Sequence, residues 1–182
     1  KIEQIVTQAF AALGTTMATY CAQNMGAGKV TRIRQGFRSA TLISSIYAVV
    51  AGILIMFAGK YMTYFFVSGN VEEIMGSVDI YLKCVGIFFI PLAVIFLYRS
   101  GIQGMGYGIL PMTAGIAELV GRAIVAVIAA GQKSYIGVCL ASPVAWVFAA
   151  VLLLVMYFYI MKHDMQKFFK LEKSYETGEA DK

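Results

Sequence analysis

Three stretches of the chain contain no Asp, Glu, Lys or Arg: Gln4 to Gly28, Ser39 to Gly59 and Ser134 to Met161. Each is at least as long as the roughly 20 residues that carry an α-helix across a bilayer. In lipid a spanning segment must satisfy its own backbone N–H and C=O groups, and long unbroken apolar runs do so as helices. Composition agrees: 59% of residues are hydrophobic and 14% charged, against about half and about a quarter in soluble domains. The chain therefore reads as an all-α membrane protein. Its net charge of +5 is no nucleic-acid signal, because the bases sit in short clusters between apolar runs, where they orient helices.

Cys21, Cys84 and Cys139 stand at irregular spacing in apolar surroundings and read as small packing residues, with no disulfide or metal framework. The opening Lys1-Ile2-Glu3 lacks the n-region, short apolar core and cleavage site of a signal peptide. The chain reads as a piece of a longer one.

Five crossings are expected, at about residues 5–24, 39–59, 80–98, 112–130 and 136–161, followed by a charged tail over 162–182. The first carries Gln4, Gln8, Thr15, Thr19 and Gln23 at spacings that place them along one helical face. That face either packs through interhelical hydrogen bonds or walls a water-filled cavity. Gly26 and Gly28 then end the helix before a basic loop from Lys29 to Arg38.

The second crossing has small residues at Ala48, Ala51 and Gly52. Aromatics at Tyr61, Tyr64, Phe65 and Phe66 form an interfacial belt, and Val67 to Asp79 reads as an acidic loop with room for a short surface helix. The third crossing is interrupted at Pro91, whose missing amide and ring clash kink the helix and make a candidate hinge.

The Gly-rich run from Gly101 to Gly108, ending at Pro111, reads as a turn. It is no nucleotide loop, since no strand precedes it and its third Gly is misplaced. In the fourth crossing Glu118 and Arg122 lie four apart, on one face and able to pair. The fifth holds Pro143 and Trp146, and lone His163 beside Lys162 is a poor metal ligand.

Five crossings put the ends on opposite sides. One side receives Lys29, Arg32, Arg34, Arg38, Arg99, Lys162, Lys167, Lys170 and Lys173, and the other Lys1, Lys60, Lys83 and Lys133. The more basic side is cytoplasmic. The C-terminus is then cytoplasmic and the start extracytoplasmic, which suits a fragment whose upstream helix is missing.

Gln23-Asn24-Met25-Gly26-Ala27-Gly28 closing a membrane helix before a basic stretch resembles the signature of the multidrug and toxic compound extrusion (MATE) transporters. Gly101-Ile102-Gln103-Gly104-Met105-Gly106 before Pro111, with Glu118 and Arg122 in the next helix, is similar to a later loop and helix of the same lobe. The resemblance spans about residues 4 to 161. It implies a twelve-helix bundle of two lobes in the cell membrane, with drugs or toxins bound between the lobes and exchanged for inward-moving Na⁺ or H⁺. This chain would be the last five helices, partnered by a missing N-terminal lobe of the same protein.

An antiporter needs a group that binds a cation and releases it when substrate binds, because coupling is a free energy between sites. Some branches of the family carry a carboxylate midway along the third crossing, but here Gly86 to Leu92 contains no acid, and Asp79 lies at the outer edge. Glu118 is the acid well inside a membrane helix, so it is a functional-site candidate with Arg122 as partner, acting as a packing or gating lock or directly on ion or substrate. The expected cavity lining is Gln8, Thr15, Thr19 and Gln23, with aromatics and methionines, which adapt to varied ligands.

Beyond the coupling ion no cofactor is expected, and no metal ligands are assigned. Two other readings stand: a flippase for lipid-linked saccharides within the same superfamily, which needs several bases facing the cavity, and a non-transporting membrane subunit or scaffold. No enzyme is expected, since no nucleophile–base, paired-carboxylate or metal constellation is visible in the sequence.

Overall fold

The computed structural model describes residues 2–63 and 71–166. Over these the chain is six α-helices without a strand: α1 (Ile2–Gly26), α2 (Val30–Thr63), α3 (Val71–Ile87), α4 (Phe89–Gly104), α5 (Ile109–Gly131) and α6 (Tyr135–His163). α2, α5 and α6 are each long and apolar enough to cross a membrane, and the bent pair α3–α4 makes a fourth such span. α1 is not among them, because Gln8, Thr15, Thr16, Thr19 and Gln23 dilute its apolar residues. Of the five expected crossings it is the one set apart by polarity.

The basic stretch from Lys29 to Arg38 is not a loop. α2 begins at Val30, and Val30, Ile33 and Phe37 repeat on its buried face while Arg32, Arg34 and Arg38 point outward. The connection shrinks to a single tight stop. Lys29 N–H reaches back to Asn24 O at 2.9 Å and Gly28 N–H to Met25 O at 3.1 Å, with Gly28 left-handed at φ 67°. This is the paired closure that a glycine just past a helix end permits. The same closure ends α4, where Gly106 sits at φ 97°, and α5, where Lys133 takes φ 51°.

The acidic stretch before Asp79 is helical from Val71 onward, as the first turns of α3. Tyr64, Phe65 and Phe66 of the expected belt, and the tail from residue 167, lie outside the described residues. Tyr61 is exposed at the end of α2.

α3 and α4 meet at 52°. Pro91 has no N–H to offer the Ile87 carbonyl and its ring crowds that oxygen. The ladder breaks there: Phe88 N–H turns back to Val85 O at 3.0 Å, and Leu92 N–H resumes on Phe88 O at 3.3 Å. The kink thus falls at Phe88, three residues before the proline that causes it.

α4 is the hub, packed by α1, α2 and α6, while α5 leans almost wholly on α6. Its contact with α1 is close because glycines allow it. A Cβ on Gly104 would lie 2.2 Å from the Ala18 carbonyl oxygen, and one on Gly14 2.9 Å from that of Phe96. Two aromatic clusters fill the interior, one around Phe10 with Tyr47, Phe89 and Phe96, the other joining Phe37, Tyr98 and Tyr157. Cys21 and Cys139 are buried and Cys84 half-buried, all unpaired.

Candidate functional site

The polar residues of α1 share one open face. Gln8, Thr15, Thr19 and Gln23 are all exposed, whereas Phe10, Met17 and Cys21 on the opposite side are sealed into the core. The hydroxyls bond to their own helix, Thr15 Oγ1 donating to Ala11 O at 3.0 Å and Thr19 Oγ1 to Thr15 O at 3.2 Å. Neither is spent on a neighbouring helix. The stripe therefore presents side-chain amides and threonine methyl and hydroxyl groups outward along most of a 25-residue helix.

α1 is held from behind. At one end Tyr81 Oη donates to Glu3 Oε2 at 2.6 Å and Tyr47 Oη to Val6 O at 3.1 Å. At the other, Tyr20 Oη donates to Arg32 O at 3.1 Å. These bonds, together with the glycine contacts to α4, fix the orientation of the open face.

Glu118 is the centre of a second arrangement. Its Oε1 accepts from Arg122 Nη2 at 2.7 Å within α5, as the four-residue spacing requires, and its Oε2 accepts from Arg99 Nη2 of α4 at 3.1 Å. Sequence reasoning missed Arg99, counting it among the bases beyond the third crossing. The available signal is that Arg99 precedes Gly104, the end of α4, by more than a helical turn, so it lies within the helix.

The cluster holds two guanidiniums against one carboxylate. The Nε atoms of Arg99 and Arg122 are both buried without a hydrogen-bond partner. Because α4 and α5 otherwise touch little, the Arg99–Glu118 contact is a main tie between them. Chemically the arrangement can clamp two helices together; Glu118 has both oxygens occupied.

The other sequence candidates lie apart from this node. Pro91 belongs to the first turn of α4 beside the 52° bend. Asp79 pairs with Lys83 at 2.6 Å along α3, and His163 stacks on Tyr159 at 4.7 Å. Among the described residues no three His, Cys, Asp or Glu side chains converge to hold a metal ion.

Tyr107, in the turn between α4 and α5, faces Asp164 just past α6. Burial, and then the interaction with the Asp164 carboxylate, push its phenol up to about 12. Tyr107 thus places the turn between α4 and α5 beside the end of the last helix.

Apolar helices of spanning length, broken by a proline bend and carrying one interior charge node, define a multi-pass membrane protein. The chain matches the MatE family over residues 1–128, and it belongs to that family of membrane transporters. No curated protein and no solved structure matches it.

Proposed function

We propose that these helices form one lobe of a cation-coupled efflux antiporter that exports organic, often cationic, compounds in exchange for Na⁺ or H⁺. The observation that carries the reading is the open polar face of α1, presented outward while its other face is locked to α4. Gln8, Thr15, Thr19 and Gln23 line the substrate cavity, whose far wall is a lobe outside these residues. α1 is then the first of the five crossings, tolerated despite its polarity because that face meets water instead of lipid.

Glu118 with Arg99 and Arg122 is the lock that keeps α4 and α5 together while the lobes rock, and the Pro91 bend supplies compliance within the α3–α4 span. We place the coupling carboxylate outside this chain. Glu118 is held by two guanidiniums and Asp79 by Lys83, so neither is free to exchange a cation for substrate. A flippase is less well supported, because the interior bases Arg99 and Arg122 are engaged with Glu118 and not offered to an anionic lipid-linked sugar.

Thiol labelling tests the reading. In a background without Cys21, Cys84 and Cys139, the variants Gln8→Cys, Thr15→Cys and Thr19→Cys in native membranes should react with a hydrophilic maleimide, and a transported compound should slow the reaction. Full protection of all three would mean that the face packs against protein, and the scaffold reading would replace transport.

A further inference from the structure

Two adjoining cavities open beside α2, one between α2 and α6 over α4 and the other between α2 and α4. One, about 430 Å³, is lined by Arg34, Phe37, Arg38, Tyr98, Tyr157, Phe158, Met161 and Lys162. The other, about 650 Å³, shares Arg38 and Tyr98 and continues along α2 past Leu42 to Ser45. Both volumes fall in the ~300–1,000 Å³ range of small-molecule sites.

The pair makes a groove with a polarity gradient. Its mouth carries Arg34, Arg38 and Lys162; no acidic side chain lines either cavity. None of the three bases has a hydrogen-bond or salt-bridge partner among the described residues. The floor is the Phe37–Tyr98–Tyr157 cluster, with ring centroids 4.4 to 5.1 Å apart. Beyond Leu42 the flank of α2 is apolar and exposed at Ile43, Ile46 and Val49. From Arg34 to Ser45 the helix rises roughly 16 Å, about one leaflet of a ~30 Å hydrocarbon core.

We propose that this groove binds an anionic phospholipid of the cytoplasmic leaflet, its phosphate between Arg34, Arg38 and Lys162 and one acyl chain over the aromatic floor along α2. Three bases without a partner among the described residues call for an anion, and guanidinium donors suit phosphate oxygens. A soluble anion would use the mouth alone and gain nothing from the apolar run. The lipid spans α2 and α6, whose backbones do not approach closely and which meet through the Phe37–Tyr157 ring contact, and so braces the two helices at their basic ends. The choice of leaflet rests on the orientation inferred from the bases; the binding does not depend on transport.

The test is native mass spectrometry of the full-length protein in neutral detergent, titrated with phosphatidylglycerol, with phosphatidylcholine of the same chains, and with glycerol phosphate. Phosphatidylglycerol should bind more tightly than phosphatidylcholine. Removing each of the three charges by Gln should cost about fivefold, the effect of one basic residue at an anionic surface. Lys29→Gln and Arg32→Gln, in the same basic stretch but outside the groove, should leave binding unchanged, and Phe158→Ala should weaken the lipid but not glycerol phosphate.

Equal retention of the two lipids, or unchanged binding in Arg34→Gln/Arg38→Gln, would overturn the proposal. Displacement of the lipid by glycerol phosphate at equal concentration would make it a soluble-anion site and overturn it as well. If the multiple variants do not fold, Lys162→Gln alone, exposed at the end of α6, must still show the fivefold loss. Failure here leaves the labelling result on α1 untouched, so the two readings fall separately.

Discussion

Replacing Glu118 by Gln keeps the shape of the side chain and removes the charge that holds two guanidiniums. In the native protein Glu118 accepts from Arg122 at 2.7 Å and Arg99 at 3.1 Å. A hydrogen bond to a charged group contributes ~1.5–3 kcal/mol where it is shielded. The Arg99 and Arg122 side chains are 33% and 44% exposed, so solvent screening reduces the two together to about 2 kcal/mol. Thermal unfolding of the purified protein should therefore start about 4–8 °C lower, at ~2–4 °C per kcal/mol for a chain of this size.

Arg99→Gln should cost less, about 1 kcal/mol or under, because it leaves Glu118 and Arg122 as a balanced pair. The double variant should lose less than the sum of the singles, since the first substitution already removes the shared contact. An unchanged unfolding temperature in Glu118→Gln, or a larger loss in Arg99→Gln than in Glu118→Gln, would refute the clamp.

Gly104→Ala should destabilise by roughly 1–3 kcal/mol or abolish folding, because its Cβ would meet the Ala18 backbone at 2.2 Å, while Gly108→Ala, with nothing within 4 Å, should be silent; equal yields and unfolding temperatures would contradict the α1–α4 contact. The Tyr107 phenol, pushed up to about 12, contributes stability that is complete below its ordinary value near 10 and is lost as pH rises through 12. An ultraviolet titration should show one tyrosine ionising late, and Asp164→Asn should bring it down; no change in that variant would dissolve the contact.

Much of this architecture is legible in the sequence because membrane helices announce themselves by what they lack. The charge-free run Ser39–Gly59 falls inside α2, the other two overrun α1 and α6 by no more than two residues, and the expected segment at 112–130 lies within α5, Ile109–Gly131. Boundaries were harder where charged residues are helical. Arg32, Arg34 and Arg38 suggest a loop by charge, while the buried repeat of Val30, Ile33 and Phe37 carries the helix straight through them. The proline signals a kink, but the backbone yields at the carbonyl it cannot satisfy, so the bend appears at Phe88.

Within the candidate site, the Glu118–Arg122 pair follows from local spacing. Arg99 does not, because its approach to Glu118 depends on how α4 and α5 pack. The Gly-rich run reads as a turn from composition, but Gly101 to Gly104 are still the last turn of α4 and only residues 105–108 turn. That Gly104 also admits α1 at backbone contact, while Gly106 supplies the left-handed residue of the closure, is visible only in three dimensions.

Transport itself is the most direct test. Cells expressing the full-length protein should keep a fluorescent organic cation such as ethidium at low internal concentration, and collapsing the Na⁺ and H⁺ gradients should let it accumulate to the level of cells without the protein. Extrusion that continues undiminished with both gradients dissipated would contradict cation-coupled efflux.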